Sequence, residues 1–182
     1  MLRVCLVALL TGLLASSPRA FAAGHGDPAL ETLRQQHFCE ILGYLTAIRS
    51  RPLALDDRYL IVDVPKTPGY VQCIFFDKDR KVLCEGASGF YDRPEIQYVS
   101  PDRRATVAQL GFSLDASKGN YQLERRIKGA ASVVKIADLI IRAMYGAYGA
   151  TPDSKFRYEA PLVKRLPHDL TYTGGRCVGP TS

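Results

Sequence analysis

The stretch YVQCIFFDKDRKVLCEGASGF, residues 70–90, decides the fold. Tyr70 to Phe76 is rich in aromatic and β-branched residues, Val82 to Phe90 opens with the apolar Val82, Leu83 and Cys84, and the polar run Asp77 to Arg80 lies between them. Two such runs joined by a short polar turn read as antiparallel strands of a hairpin. With Lys78 and Asp79 as the central turn residues, Cys73 falls opposite Cys84. Directly opposed Cβ atoms stand roughly 4.5–5.5 Å apart, near the upper edge of what a disulfide accepts. Gly86, Ser88 and Gly89 weaken the end of the second run, which predicts a bulge or bend there.

Working outward, Tyr59 to Val64 reads as a preceding strand, with Pro65, Pro68 and Gly69 as the turn, so a three-stranded meander is expected. Tyr91 to Val99, with Pro94 inside it, reads as a loop. Upstream of the meander, Asp27 and Pro28 start a helix whose apolar stripe includes Leu30, Leu33, His37, Phe38, Ile41, Leu45 and Ile48 and runs to about Arg49. Downstream, Ser100-Pro101-Asp102 starts a short helix that Gly111 stops. Tyr121 to Ile127 alternates, with Tyr121, Leu123 and Ile127 on one face, as in an edge or half-buried strand. Ala130 to Tyr148 is a second long helix, apolar nearly all round, with Lys135, Asp138 and Arg142 confined to a narrow face. Such a helix is buried on two sides, by the sheet on one and by a partner subunit or a second helix of the same chain on the other. Phe156 to Tyr158 reads as a short last strand. The whole is an α+β fold, an antiparallel sheet packed by N- and C-terminal helices.

Residues 1–22 read as a secretory signal peptide: Arg3, then an apolar run from Val4 to Leu14, then Ala20-Phe21-Ala22 as a cleavage site. The run is about half a bilayer span, so no stable membrane insertion is expected after cleavage, and the protein is expected in the periplasm or secreted. Residues 23–165 then form one domain, with 166–182 as an irregular C-terminal tail. The formal charge of +6 falls to +4 when Arg3 and Arg19 leave, and the basic residues are interspersed with acids. No Lys/Arg stripe with interleaved aromatics is seen, so no nucleic-acid role is expected. Cys39, Cys73, Cys84 and Cys177 remain in the mature chain. Four cysteines in an exported chain suggest two disulfides. With Cys73 and Cys84 paired, Cys39 and Cys177 are left to tie the first helix to the tail; free buried thiols are the alternative. No two have CxxC spacing, so no metal site is expected.

The catalytic patterns are missing. Gly86-Ala87-Ser88-Gly89 is not a nucleophile elbow. His37 sits on a helix, two positions from Cys39, so the two side chains point apart; His25 and His168 lie in the start and the tail. Asp77-Lys78-Asp79 opens like a calcium loop but lacks the glycine and the closing glutamate. The carboxylates Glu85 and Glu95 have nothing to couple them. Neither catalytic residues nor a cofactor is assigned.

Tyr70-Val71-Gln72, Leu83 to Ser88, Gln109-Leu110-Gly111-Phe112, Asn120-Tyr121 and Met144-Tyr145-Gly146 fall on these elements in order. On them, the segment from Gly69 to Pro161 resembles the TY-Chap domain, a group similar to type III secretion chaperones and YbjN-like proteins. The resemblance implies a chaperone-like fold and a non-enzymatic role in binding another protein, often as a homodimer. This chain departs from type III chaperones in its leader and its cysteines. The expected function is thus an exported, non-catalytic module for a protein client. The client would be held on the strand edge at Tyr121 and Leu123 or on the helix face at Ile136, Leu139 and Tyr145. A small hydrolase using His37 or Glu85 and a purely structural envelope protein are the alternatives.

Overall fold

The structure, a computed structural model, describes residues 26–92, 97–115, 117, 119–164, 166, 170–173 and 176–178. The expected signal peptide, His25, Pro94, Glu95 and His168 lie outside the described residues.

The first helix, α1, spans Pro28–Arg49, and the Asp27 carboxylate caps it by accepting from the Ala29 N–H at 3.0 Å. Strands β1 (Tyr59–Asp63), β2 (Tyr70–Phe76) and β3 (Lys81–Gly86) form the expected meander. Helix α2 spans Pro101–Gln109, β4 Tyr121–Arg126, α3 Ala130–Gly146 and β5 Arg157–Glu159. These five strands make one antiparallel sheet in the order β4-β3-β2-β1-β5. The fold is α+β, with helices packed against the sheet. Among the described residues no helix is long and apolar enough to cross a membrane.

Register follows from the turn. Lys78 and Asp79 occupy the left-handed region, as does Asp77 (φ 54°, 60° and 51°), and the Arg80 N–H donates to the Asp77 carbonyl. Positive φ at both central residues gives the twist that suits a two-residue hairpin turn. Cys73 therefore pairs with Cys84 and the two are joined, with Cα atoms 4.1 Å apart. Asp79 is held in place by Arg58, whose Nη2 donates to both its carboxylate oxygens at 2.6 Å. Nη1 of the same guanidinium donates to the carbonyls of Arg51 and Pro52, so one buried arginine ties the α1–β1 loop to the hairpin tip.

The third strand stops at Gly86 rather than running on to Phe90. Tyr148, just beyond α3, lies against the backbone there and donates its hydroxyl to the Ala87 carbonyl at 2.9 Å. A Cβ on Gly86 would sit 2.6 Å from that hydroxyl, and one on Gly69 would sit 2.2 Å from the ring. Past the bend, the Ser88 hydroxyl donates to the Gly119 carbonyl and its N–H to the Asn120 side chain, which in turn donates to the Tyr70 hydroxyl.

Alternate residues of the strands, Leu60 and Val62, Val71, Cys73 and Phe75, Val82 and Cys84, are buried on one face. Helix α3 adds Val133, Ile136, Ala137, Ile140, Ile141 and Met144 to the same core. It also packs against α1 and α2, so helices of the same chain add to its burial.

The expected irregular tail is not irregular throughout. Residues Thr171–Thr173 (β6) and Arg176–Val178 (β7) form a small antiparallel pair that lies on α1. Cys177 on β7 is bonded to Cys39 on α1, with Cα atoms 5.5 Å apart, and Tyr172 on β6 packs edge-on against Phe38 at 5.3 Å. The alternation of Thr171, Tyr172 and Thr173 is too short to stand out as a strand pattern; the disulfide and the aromatic contact supply what the local sequence does not.

Candidate functional site

Two kinds of surface were expected to carry binding, and the structure treats them differently. Strand β4 is an edge of the sheet. Tyr121 and Leu123, however, point into the core and are only 3% and 4% exposed. They cannot serve as side-chain contacts for an added strand. The reason is the period of two: the side that faces Cys84 and Gly86 across the sheet also faces the helices. The outer rim of β4 is already taken at Gln122, whose carbonyl accepts from the Ser113 N–H at 2.8 Å. On α3, Ile136 is likewise core, at 4%, whereas Leu139 and Tyr145 are half-buried. Tyr145 is engaged, its hydroxyl donating to the Asp27 carboxylate at 2.5 Å. This bond holds the Asp27 carboxyl below the usual range and raises the Tyr145 phenol.

Leu139 belongs to an open cleft, a groove of about 510 Å³ between α1, the end of α2, α3 and the C-terminal hairpin. Its apolar surface comes from Phe38, Leu110, Val134, Leu139 and Tyr172. Its charged rim is Arg34, Lys135 and Arg142, with Asp138 as the one carboxylate. Helical spacing puts these groups together: Lys135, Asp138, Leu139 and Arg142 share a face at steps of three and four, and Arg34 and Phe38 do so on α1. The narrow charged face read on α3 is therefore the face that looks into the groove.

Asp138 is paired through one of its oxygens. Arg34 reaches one of its oxygens through Nε and Nη2, each at 2.8 Å, and Arg142 stands 3.9 Å from the other. Burial alone would lower the Arg34 guanidinium, but Asp138 and the flanking Glu31 more than reverse this and raise it. Glu31 bridges Arg34 at 3.4 Å and does not line the groove. Lys135 is exposed and makes no ion pair among the described residues.

His37, the one described histidine, is on the other flank of α1. Its ring stacks on Phe156 at 4.0 Å. Nε2 faces the Ser154 carbonyl at 3.1 Å, which can only accept, so Nε2 carries the proton and Nδ1 accepts from the Tyr158 hydroxyl at 2.9 Å. Burial pushes His37 below its ordinary value and the Tyr158 phenol far above its own. The Glu40 carboxyl is also raised, chiefly by burial. Both ring nitrogens of His37 are thus committed to holding β5 and its approach against α1. Glu85 accepts from the Gln122 amide across the sheet at 3.0 Å. Among the described residues no cluster of three His, Cys, Asp or Glu side chains could hold a metal ion.

Sequence reading reached Leu139, Phe38 and the charged face of α3 but not the groove itself. Arg34, Gln109 and Tyr172 come from three separate segments, and only the folded chain brings them together. A comparison with protein-family models, curated proteins and solved structures finds no match to this chain.

Proposed function

We propose that this protein is an exported, non-catalytic binding module that holds a protein client in the α1–α3 groove, in keeping with the chaperone-like role that the TY-Chap resemblance implies. The observation that carries the reading is the groove: an open cleft with an apolar floor and a charged rim, built on two helices and walled by a disulfide-tethered hairpin. Clefts that take a ligand are lined in this way, with a few placed polar groups giving specificity. The two disulfides suit an oxidising compartment, which supports export.

The test places a photocrosslinking phenylalanine analogue at Leu139, and at exposed Lys66 as a control, in protein kept in its native envelope or secreted fraction. The crosslinked species is identified by mass spectrometry, purified and titrated. Saturable binding that is lost in Leu139→Asp, with the far-ultraviolet dichroism unchanged, supports the reading. Equal crosslinking from both positions, or self-crosslinks alone, overturns it.

A further inference from the structure

We infer that the segment seated in the groove is acidic: an extended stretch of a client protein that places two carboxylates about four residues apart, with an apolar side chain midway between them. The inference rests on the groove being the client site.

The groove rim carries three cations against one carboxylate. That carboxylate, Asp138, is paired with Arg34 and faced by Arg142. What is left toward an incoming chain is positive: the exposed Lys135 ammonium and the exposed Arg142 guanidinium, whose carboxylate neighbour lies at 3.9 Å. Counting Glu31 with the rim reduces the excess without reversing it. Two further features set the spacing. Lys135 and Arg142 are seven residues apart on α3, about 10 Å along the axis at 1.5 Å per residue. Leu139 lies between them in sequence, and with Phe38, Val134 and Tyr172 it lines the groove. An extended chain rises about 3.3 Å per residue and its side chains alternate between two faces, so acids four apart span about 13 Å, within reach of the long Lys135 and Arg142 side chains, and the residue midway between them turns to the same face, over the apolar floor. A basic segment would face Lys135 and Arg142 unpaired. Arginine is the side chain suited to forked pairing with a carboxylate, and Arg142 has its second edge available.

The test uses fluorescein-labelled octapeptides in which two glutamates, four residues apart, flank a central leucine, with matched lysine and glutamine versions. Binding to the full chain is read by anisotropy at low and high salt. The expected result is that the glutamate peptide binds at least tenfold more tightly than the lysine peptide and weakens with salt, as exposed charge pairs do. The Lys135→Glu/Arg142→Glu double variant, both positions being exposed, should exchange the preference. Equal binding of the glutamate and lysine peptides overturns the inference, as does glutamate-peptide binding that ignores the double variant. If no peptide binds while the Leu139 crosslink to a titratable client persists, this inference falls and the broader reading stands. If both fail, both fall.

Discussion

Replacing Cys39 and Cys177 together by alanine removes the longest covalent loop in the molecule, 138 residues in separation. In the chain-entropy model a closure of that length restricts the unfolded chain by about 5 kcal/mol at 25 °C, against about 3 kcal/mol for the 11-residue separation of Cys73 and Cys84. A loss of that size corresponds to roughly 10–20 °C in Tm for a chain of this length. The structure adds an order of events. Cys177 is half-exposed and Cys39 is 7% exposed, whereas Cys73 and Cys84 are both 0% exposed. Graded dithiothreitol, followed by alkylation and mass spectrometry, should therefore open Cys39–Cys177 first. The urea midpoint should fall with it, toward that of the double-alanine variant. The strand pair that carries Tyr172 is held to α1 by this bond and by the Phe38 contact, so protection of the Thr171–Thr173 and Arg176–Val178 amides should be lost before that of α3. A double variant less than 1 kcal/mol weaker than the parent, or simultaneous opening of the two disulfides, would refute the reasoning.

Three further expectations concern single side chains. Asp79→Asn keeps the left-handed turn but leaves the buried Arg58 guanidinium without its charge partner; a loss of roughly 1.5–3 kcal/mol in urea unfolding is expected, and a shift no larger than that of an Asp77→Asn control would count against the clamp. Gly86→Ala drives a methyl to within 2.6 Å of the Tyr148 hydroxyl and should cost about 1–3 kcal/mol; adding Tyr148→Phe removes the clashing atom and should recover part of it, and simple additivity in the double variant would sink the contact as the cause. His37, lowered by burial, binds a proton more readily in the unfolded chain, so its contribution is complete above about pH 6.5 and is lost as pH falls toward the lower folded value. Glu40, raised by burial, acts in the opposite sense from about pH 4.5 upward, so the comparison must be with His37→Gln: the parent should lose more Tm than the variant between pH 7 and pH 5, and an equal or steeper loss in the variant would rule the account out.

Much of the architecture could be read from local signals. The helix of Pro28–Arg49 announces itself by the Asp27-Pro28 start and a long apolar stripe, and the hairpin of residues 70–86 by its turn, which also put Cys73 opposite Cys84. The misses have a common cause. The third strand ends at Gly86 because Tyr148, more than sixty residues away in the chain, lies against it. Tyr121 and Leu123 alternate as a half-exposed strand would, yet the neighbouring helices decide which half is covered. The C-terminal hairpin is two strands of three residues each, below the length at which a period of two can be recognised. The groove is harder still to read, since its walls are brought together by the packing of α1 on α3 and by a disulfide. The α3 side, with Lys135, Asp138 and Arg142 interrupting an apolar helix, left the clearer trace in the sequence, beside Phe38 on the α1 stripe.

The two rims of the sheet bear on how the molecule behaves in a crowd. At one rim, Ser113 covers part of β4, and the remaining outward backbone positions, alternating from Gln122, fall at Glu124 and Arg126. At the other, β5 is three residues long and carries Arg157 and Glu159. Short, charged or covered rims refuse a neighbour's strand. The sheet is thus guarded against growing from one molecule into the next, and the protein can reach high local concentration without seeding fibrils along its own strands.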